Sequence, residues 1–217
     1  MTENDGRRPL KVRSTKISLL IAKYLCKKNI TPNQISIASV FFALLAGFCL
    51  FALPYTQGVS FTLLALFTAI FIQCRLLCNL FDGMVAIEGG KSTASGELFN
   101  DIPDRIADPI IIIAAGYSIT VVTWGDTLGW SAAVLAVLTA YVRTLSISIG
   151  APADFSGPMA KQHRMAIITT ACVITAIEPL LWSSPYAILI ALFIINIGCI
   201  VTLVNRTQNA YHALEKN

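Results

Sequence analysis

Residues 79–105 read NLFDGMVAIEGGKSTASGELFNDIPDR, a polar stretch in a chain of 217 residues of which 55% are hydrophobic. Asn79 and Asp82 are three residues apart, so on a helix they share one face. Asn100 and Asp104 are four residues apart and share a face of the next helix. If a short turn joins two antiparallel helices here, the two faces oppose each other. The stretch therefore predicts a helical hairpin with four oxygen-bearing side chains between its arms.

Small residues accompany these polar positions. Gly83 and Ala86 continue the first helix face, and Gly96 continues the second. Small side chains let a second helix or a ligand approach the backbone closely. Between the two faces, the segment EGGKSTAS (88–95) predicts the turn, with its glycine pair ending one helix and a Ser or Thr capping the next.

Two interpretations of the polar side chains remain open at this point. Carboxylate and amide oxygens are the ligands that hard cations such as Mg²⁺ or Mn²⁺ accept, so a metal site is one interpretation. An ionisable group within a membrane helix costs about 2.5–3.5 kcal/mol at mid-depth, which favours a functional role. Alternatively, the acids are simply solvated at a membrane surface, with pairs such as Asp101–Arg105 adding a little stability.

The rest of the chain is apolar enough for a membrane protein. A helix needs roughly 20 mostly apolar residues to cross a hydrocarbon core of ~30 Å, and the shorter runs reach this length with their polar flanks. A soluble all-helical core is the alternative, but only 13% of the residues are charged, too few to cover six such helices. We therefore predict an all-α integral membrane protein with six transmembrane helices, from apolar runs at 34–54, 58–73, 109–123, 127–142, 164–182 and 186–204.

The positions of the basic residues predict the topology. Eight of the sixteen Lys and Arg lie within residues 1–28, whereas the turns near 54–58, 123–127 and 182–186 carry none. Cytoplasmic segments of membrane proteins carry an excess of Lys and Arg. We therefore expect both termini, and the polar turn at 88–95, to lie on the cytoplasmic side of a bacterial-type inner membrane.

The N-terminal region precedes the first predicted span. In residues 14–28 the apolar side chains recur at helical spacing with lysines elsewhere around the helix, which predicts an interfacial amphipathic helix. Thr31 and Pro32 then predict a helix cap and the first helical position. We expect residues 1–13 to be a flexible tail and residues 1–217 to form a single membrane domain.

The polar stretch resembles the motif of the CDP-alcohol phosphatidyltransferases, Asp-x-x-Asp-Gly-x-x-Ala-Arg followed by Gly-x-x-x-Asp-x-x-x-Asp. The segment LCKKNITPNQISIASV (25–40) is similar to the family's interfacial helix and the start of its first transmembrane helix. YVRTL (141–145) and GPMAKQHRMA (157–166) resemble segments of its fourth and fifth helices, and six transmembrane helices are the family's architecture. The motif positions are filled here by Asn79, Asp82, Gly83, Ala86, Ile87, Gly96, Asn100 and Asp104, with eight residues between the two halves.

The resemblance implies a metal-dependent displacement. In the family, two cations (Mg²⁺ or Mn²⁺) held by the four acids grip the diphosphate of a CDP-linked lipid such as CDP-diacylglycerol. The last acid, Asp104 here, acts as the base on the hydroxyl of a small polar alcohol, which attacks the β-phosphorus and expels CMP. The implied metal ligands are Asn79, Asp82, Asn100 and Asp104, and the implied CDP-binding residues are Asp82, Gly83, Ala86 and Gly96.

Three motif positions depart from the family pattern. Asn79 and Asn100 replace two of the four acids, and Ile87 replaces the Arg. An asparagine offers a carbonyl oxygen but brings no charge. Three explanations remain open: one tight cation with a second arriving on the diphosphate, help from off-pattern acids such as Asp101, or a catalytically impaired protein that only binds lipid or nucleotide.

Basic residues near the cytoplasmic ends of the fourth and fifth predicted helices also allow two interpretations. Arg143, Lys161 and Arg164 either bind a phosphate on the acceptor alcohol or reflect ordinary membrane topology. A transporter is disfavoured, since its polar groups should lie near the midplane of the membrane. We expect membrane lipids as the surroundings, no nucleic-acid partner, and the homodimer that is common in the family.

Overall fold

The computed structural model describes residues 15–90, 96–182 and 184–215, and these residues form helices joined by short connections. The predicted tail at 1–13 and the Ser and Thr residues of the predicted turn at 88–95 lie outside the described residues. The helices are α1 (Lys16–Lys27), α2 (Pro32–Ala52), α3 (Gly58–Glu88), α4 (Gly96–Tyr117), α5 (Gly125–Ser148), α6 (Lys161–Leu181) and α7 (Ala187–Glu215), with a 3₁₀ turn at Leu53–Tyr55.

Helix α1 matches the helix predicted for residues 14–28, with ends one or two residues inside it. It begins after Thr15, whose hydroxyl accepts a hydrogen bond from the backbone of Ser18. Ala22 packs against Leu80 and Met84 of α3, and this contact fastens α1 to the bundle. Several large apolar side chains of α1 remain exposed, among them Ile17, Leu20 and Tyr24. An exposed apolar face fits a helix that lies at a membrane surface, and that location remains a prediction.

The ends of α2 and α3 form as their sequences predict. Thr31 and Gln34 make a reciprocal capping box at the start of α2, with Pro32 at the first helical position. Helix α3 ends at Glu88, and Gly90 follows with φ at +59°, in the left-handed region that favours glycine. The predicted helix end at the glycine pair is therefore confirmed.

Among the residues that the structure describes, five helices are long and apolar enough to cross a membrane: α2 with its 3₁₀ extension, α3, α5, α6 and α7. The protein is thus an integral membrane protein of α-helical fold. Helix α4 is also long enough, but the part of it up to residue 108 carries Asp101, Asp104, Arg105 and Asp108, which make it too polar by composition alone. The predicted count of six spans therefore remains a prediction, and it depends on α4.

The packing places one end of several helices together. Contacts between neighbouring helices close a ring in the order α2, α3, α6, α7, α5 and α4. Small residues permit close contact between α4 and α5, since a Cβ on Gly116 of α4 would lie 2.8 Å from the Cα of Gly129 in α5. One end of this ring brings together five helix ends: the start of α2, the end of α3, the start of α4, the end of α5 and the start of α6. The polar residues of the predicted site all belong to those segments.

Candidate active site

Asp82 lies in the last third of α3 and is almost completely buried. Its Oδ2 accepts a hydrogen bond of 2.8 Å from the hydroxyl of Ser36 in α2. Its Oδ1 accepts a hydrogen bond of 2.6 Å from the backbone N–H of Gly83. Hydrogen bonds to a carboxylate are stronger than those between neutral groups and fix its orientation. Ser36 therefore positions Asp82 from a different helix.

Asp104 of α4 faces α3 and α6, as the hairpin prediction requires. Its Oδ1 accepts hydrogen bonds from Arg75 Nη2 at 3.1 Å and from Asn79 Nδ2 at 3.0 Å, and both residues belong to α3. Its Oδ2 pairs with the ammonium group of Lys161 at the start of α6. The structure thus brings Asn79, Asp104 and Lys161 together, and it adds Arg75 to them.

Asp108 lies one helical turn beyond Asp104 and is also buried. One of its oxygens lies 2.5 Å from Arg75 Nη2, and the other accepts a hydrogen bond of 2.9 Å from Arg164 Nη2. Arg164 also donates to the carbonyl of Met159 at 2.9 Å. Arg75 therefore bridges the carboxylates of Asp104 and Asp108, and Arg164 pairs with the other oxygen of Asp108.

A second group of charges lies closer to solvent. Asp101 of α4 receives two hydrogen bonds from Arg105, at 2.8 and 2.9 Å, and one of 3.4 Å from Arg143 of α5. The Arg143 guanidinium also lies over the ring of Phe155, 5.6 Å from its centroid. Among the three predicted acceptor residues, Lys161 and Arg164 thus contact the buried acids, whereas Arg143 belongs to this outer group.

The remaining predicted positions lie around the same end of the bundle. Gly83, Ala86 and Gly96 are half-buried, so a ligand can approach them. Ile87, at the position where the family motif has Arg, is exposed. Asn100 belongs to α4, but its side chain lies outside what the structure describes.

Sequence reasoning missed the roles of Arg75 and Ser36. Arg75 lies four residues before Asn79 in an otherwise apolar helix segment, and its side chain is completely buried. A lone arginine in a predicted transmembrane helix is a signal that could have found it, because such a charge is costly unless it is paired. Ser36 gives no such signal, since a serine in an apolar helix is common.

Asp154 fastens the loop after α5 to α7. Asp154 accepts hydrogen bonds from the backbone and hydroxyl of Ser156 and from Asn209, at 2.7 to 2.9 Å. Partial burial alone would raise the pKa of Asp154, but the hydrogen bonds from Asn209 and Ser156 outweigh it and lower the pKa. The loop that leads into Lys161 therefore has a fixed path.

The residues present fit one divalent cation better than two. Asp82 brings a carboxylate, and Asn79, which donates through its amide nitrogen, has its carbonyl oxygen to offer. Both oxygens of Asp104 are engaged by Arg75, Asn79 and Lys161. Within the described parts of the chain, no three acidic, histidine or cysteine side chains lie together as a ready metal cluster.

Comparisons with known proteins give a consistent set of relatives. No family model matches the chain. The inner membrane protein YnbA of Escherichia coli K12 is 27% identical over 172 residues, which cover 74% of this chain and 79% of that protein. The phosphatidylinositol phosphate synthase of Streptomyces avermitilis is 24% identical over 198 residues, which cover 88% of this chain and 77% of that protein. The enzyme of the same name from Mycolicibacterium smegmatis is 21% identical over 203 residues, which cover 89% of this chain and 83% of that protein.

Solved structures show the same fold. The Mycobacterium tuberculosis phosphatidylinositol phosphate synthase with CDP-DAG bound aligns with a TM-score of 0.71 and 19% identity, covering 91% of this chain and 94% of that chain. The same enzyme with manganese and citrate aligns with a TM-score of 0.73 and 18% identity, covering 89% and 88%. At this identity the likeness establishes the fold alone.

The fold and the site together define a class, that of α-helical integral membrane proteins with a buried carboxylate site at one end of the helix bundle. Within that class the motif spacing and the sequence relatives point to the same kind of protein, one related to phosphatidylinositol phosphate synthases. The chain is similar in sequence and in fold to phosphatidylinositol phosphate synthases, and its motif spacing resembles that of the CDP-alcohol phosphatidyltransferases.

Proposed function

We propose that this protein transfers a phosphatidyl or similar phospholipid group from a CDP-linked lipid to a hydroxyl of a small polar alcohol and releases CMP. The observation that carries the proposal is the placement of Asn79 and Asp104 in contact across α3 and α4, with Asp82 one turn further, at the family's spacing. Relatives named phosphatidylinositol phosphate synthase, and a solved neighbour that binds CDP-DAG, support it.

A divalent cation, Mg²⁺ or Mn²⁺, is the cofactor of this proposal, and a solved neighbour binds manganese. Asp82, Asn79, Asn100 and Asp104 are the residues that would hold it. Bound there, the cation supplies positive charge to the oxygens of the diphosphate. Asp82, Gly83, Ala86 and Gly96 form the surface against which the CDP moiety lies, because their small or short side chains leave room beside the two helices.

The chain's own residues supply the proton transfer. Asp104 accepts the proton of the acceptor hydroxyl while that oxygen bonds to the β-phosphorus, and the bond from phosphorus to the CMP oxygen breaks. Lys161 pairs with Asp104 in the structure and is 28% exposed, so it can move to an incoming acceptor and free one carboxylate oxygen. Arg75 is buried and stays on the other oxygen, which keeps Asp104 oriented.

The acceptor alcohol is proposed to bind beside Arg143 and Lys161. Both side chains reach solvent at this end of the bundle, with exposures of 27% and 28%. Guanidinium and ammonium groups suit a phosphorylated alcohol. Arg164, only 3% exposed, contributes its charge from behind Asp108. The solvent-reaching cationic groups of Arg143 and Lys161 support a phosphorylated acceptor over a neutral one.

The membrane arrangement is part of the proposal. We infer six spans, with α4 crossing beside α2 and α5, and both termini and the site on the cytoplasmic side. Basic residues of the described chain at the site end support this orientation. The lipid tail of the donor then stays in the bilayer while nucleotide and alcohol arrive from water. A single domain over 1–217 and a homodimer complete the proposed organisation.

The test is CMP release by the purified full chain in mixed micelles with CDP-diacylglycerol, Mg²⁺ or Mn²⁺, and a panel of phosphorylated and neutral alcohols. We expect CMP release with at least one acceptor and its loss in Asp104→Asn. No release with any acceptor, and no rescue by the double variant Asn79→Asp/Asn100→Asp, would contradict catalysis.

A second candidate function is a catalytically impaired protein of this fold that binds lipid or nucleotide. The engagement of both Asp104 oxygens by cationic or amide groups favours it. It predicts metal-dependent CDP binding without turnover. Isothermal titration with CDP and Mn²⁺, run beside the CMP assay on the same sample, separates the two functions.

A further inference from the structure

Arg75 is an unusual residue for a metal-dependent site. Its guanidinium is completely buried, lies on the same oxygen of Asp104 as the Asn79 amide, and reaches Asp108 as well. Its Nε and Nη1 atoms find no hydrogen-bond partner among the described residues. A buried arginine with unsatisfied donors is costly, so its position needs a compensating reason.

The charges around Asp104 are already balanced. The inner cluster consists of three cationic residues (Arg75, Lys161 and Arg164) and three acidic ones (Asp82, Asp104 and Asp108). Ion pairs join five of these, and Asp82 interacts electrostatically with Asp104 and Lys161. With these formal charges the cluster has no net charge before any metal ion binds.

This balance limits how many ions the cluster accepts. One divalent cation together with the two negative charges of a diphosphate leaves the cluster neutral. Two divalent cations with the same diphosphate leave an excess of two positive charges in a buried site. At an effective dielectric near 20, two unit charges 4 Å apart already interact by about 4 kcal/mol, so this excess is a large penalty.

We propose that Arg75 takes the electrostatic place of one of the two divalent cations, so that this protein binds a single divalent ion, and binds it together with the diphosphate. The inference deepens the proposed function and rests on it. Arg75 is suited to the role because it is buried and fixed, whereas Lys161 is partly exposed and exchangeable.

Asn79 follows from the same arrangement. Arg75 and Asn79 are one helical turn apart on α3 and meet at a single oxygen of Asp104. A carboxylate at position 79 would pair with Arg75 within the helix rather than hold a second metal ion. An asparagine at position 79 is therefore compatible with Arg75 at the same carboxylate oxygen.

The experiment measures how many Mn²⁺ ions bind per chain, by electron paramagnetic resonance of free Mn²⁺, using the purified full chain with and without CDP. We expect one ion per chain with CDP, and affinity about tenfold or more lower without it. Asn79→Asp should still bind one ion, because Arg75 neutralises the new carboxylate. Arg75→Met/Asn79→Asp should bind two, and the matched control Arg75→Lys/Asn79→Asp should bind one.

Two ions bound by the parent protein or by Asn79→Asp would overturn the inference, and so would one ion in a folded Arg75→Met/Asn79→Asp variant. Size-exclusion chromatography shows whether that variant folds, and if it does not, the parent protein and Asn79→Asp decide the question. Two ions together with CMP release would overturn this inference and leave the proposed function standing. No Mn²⁺ binding even with CDP would contradict the metal chemistry of the proposed function itself.

Discussion

Ser36 shows how a single hydroxyl can tune a site from outside its motif. It lies at the start of α2, buried, and donates to Asp82 across the helix interface at 2.8 Å. Three residues later, Ser39 is equally buried but donates to the carbonyl of Ser36 within its own helix, at 2.7 Å. The two serines therefore differ in their hydrogen-bond partner but hardly in their burial, and they form a natural pair of test positions.

We expect Ser36→Ala to weaken Mn²⁺ binding in the presence of CDP and to lower kcat, each by about 10- to 100-fold. A hydrogen bond to a charged group contributes about 1.5–3 kcal/mol, and 1.4 kcal/mol corresponds to a factor of ten. Ser36→Thr, which keeps the hydroxyl, should restore most of both quantities. Ser39→Ala is the matched control, and an equal loss of Mn²⁺ affinity in it would show that Ser36 acts only through packing.

Arg143 is the residue on which acceptor selectivity is expected to depend. We expect Arg143→Ala to raise KM for a phosphorylated acceptor by about 10- to 100-fold, because one charge-assisted contact is lost. KM for a neutral acceptor should stay unchanged. Arg105→Ala is the control, since Arg105 binds the same Asp101 from within α4. Steady-state kinetics with both acceptor types checks this, and equal effects of Arg143→Ala on both types would remove Arg143 from the pocket.

At the level of elements, the helix hairpin and the ring of helices explain why the sequence predicted so much of the fold. Some predicted features are local patterns, which depend only on residues close together in the sequence. They are the stripe from Asn79 to Ala86, the glycine pair and the cap at Thr31. The bridge from Arg75 to Asp104 and Asp108 joins residues of two helices, and its geometry depends on how those helices rotate against each other. Periodicity alone does not supply that rotation.

Helices α4 and α5 depend on glycine for their close approach. A Cβ on Gly116 would lie 2.8 Å from the backbone of both Gly125 and Gly129. We expect Gly116→Ala to destabilise the protein by about 1–3 kcal/mol, the usual cost of overpacking. Gly47→Ala is the milder control, since its methyl group would meet the end of the Ile110 side chain at 3.0 Å, and that side chain can move. Thermal unfolding in detergent measures both, and equal melting temperatures would contradict this view of the α4–α5 contact.

The end of the bundle opposite the site depends on Glu178 of α6. Its Oε1 accepts hydrogen bonds of 2.9 Å from the backbone of both Tyr186 and Ala187, so it caps the start of α7 from α6. We expect Glu178→Ala to cost about 1.5–3 kcal/mol for each lost bond. Glu178→Gln keeps a carbonyl acceptor and should cost clearly less. The readout is thermal unfolding, and identical losses in the two variants would show that the carboxylate acts through something other than capping.

For the whole molecule, the decisive question is whether α4 crosses the membrane. Its composition is more polar than that of the five candidate spans, so composition alone does not identify it as a span. Its position in the ring between α2 and α5 favours crossing, since both neighbours are apolar enough to span. Six crossings place the two termini on one side of the membrane, and five place them on opposite sides. The number of spans is therefore a property that a fusion at each end can measure.

We expect a fluorescent protein fused after residue 217 to fluoresce in the cytoplasm, and alkaline phosphatase fused there to be inactive, because the C-terminus follows a sixth crossing. Alkaline phosphatase fused after Trp124, between α4 and α5, should be active, since α4 will have carried the chain outward. A fusion after Gly90, between α3 and α4, is the matched control and should be inactive. If the fusions after Gly90 and Trp124 report the same side, α4 does not cross the membrane. Asp104 would then belong to a helix that lies on the membrane surface, and the donor's diphosphate and the acceptor would have to bind it there.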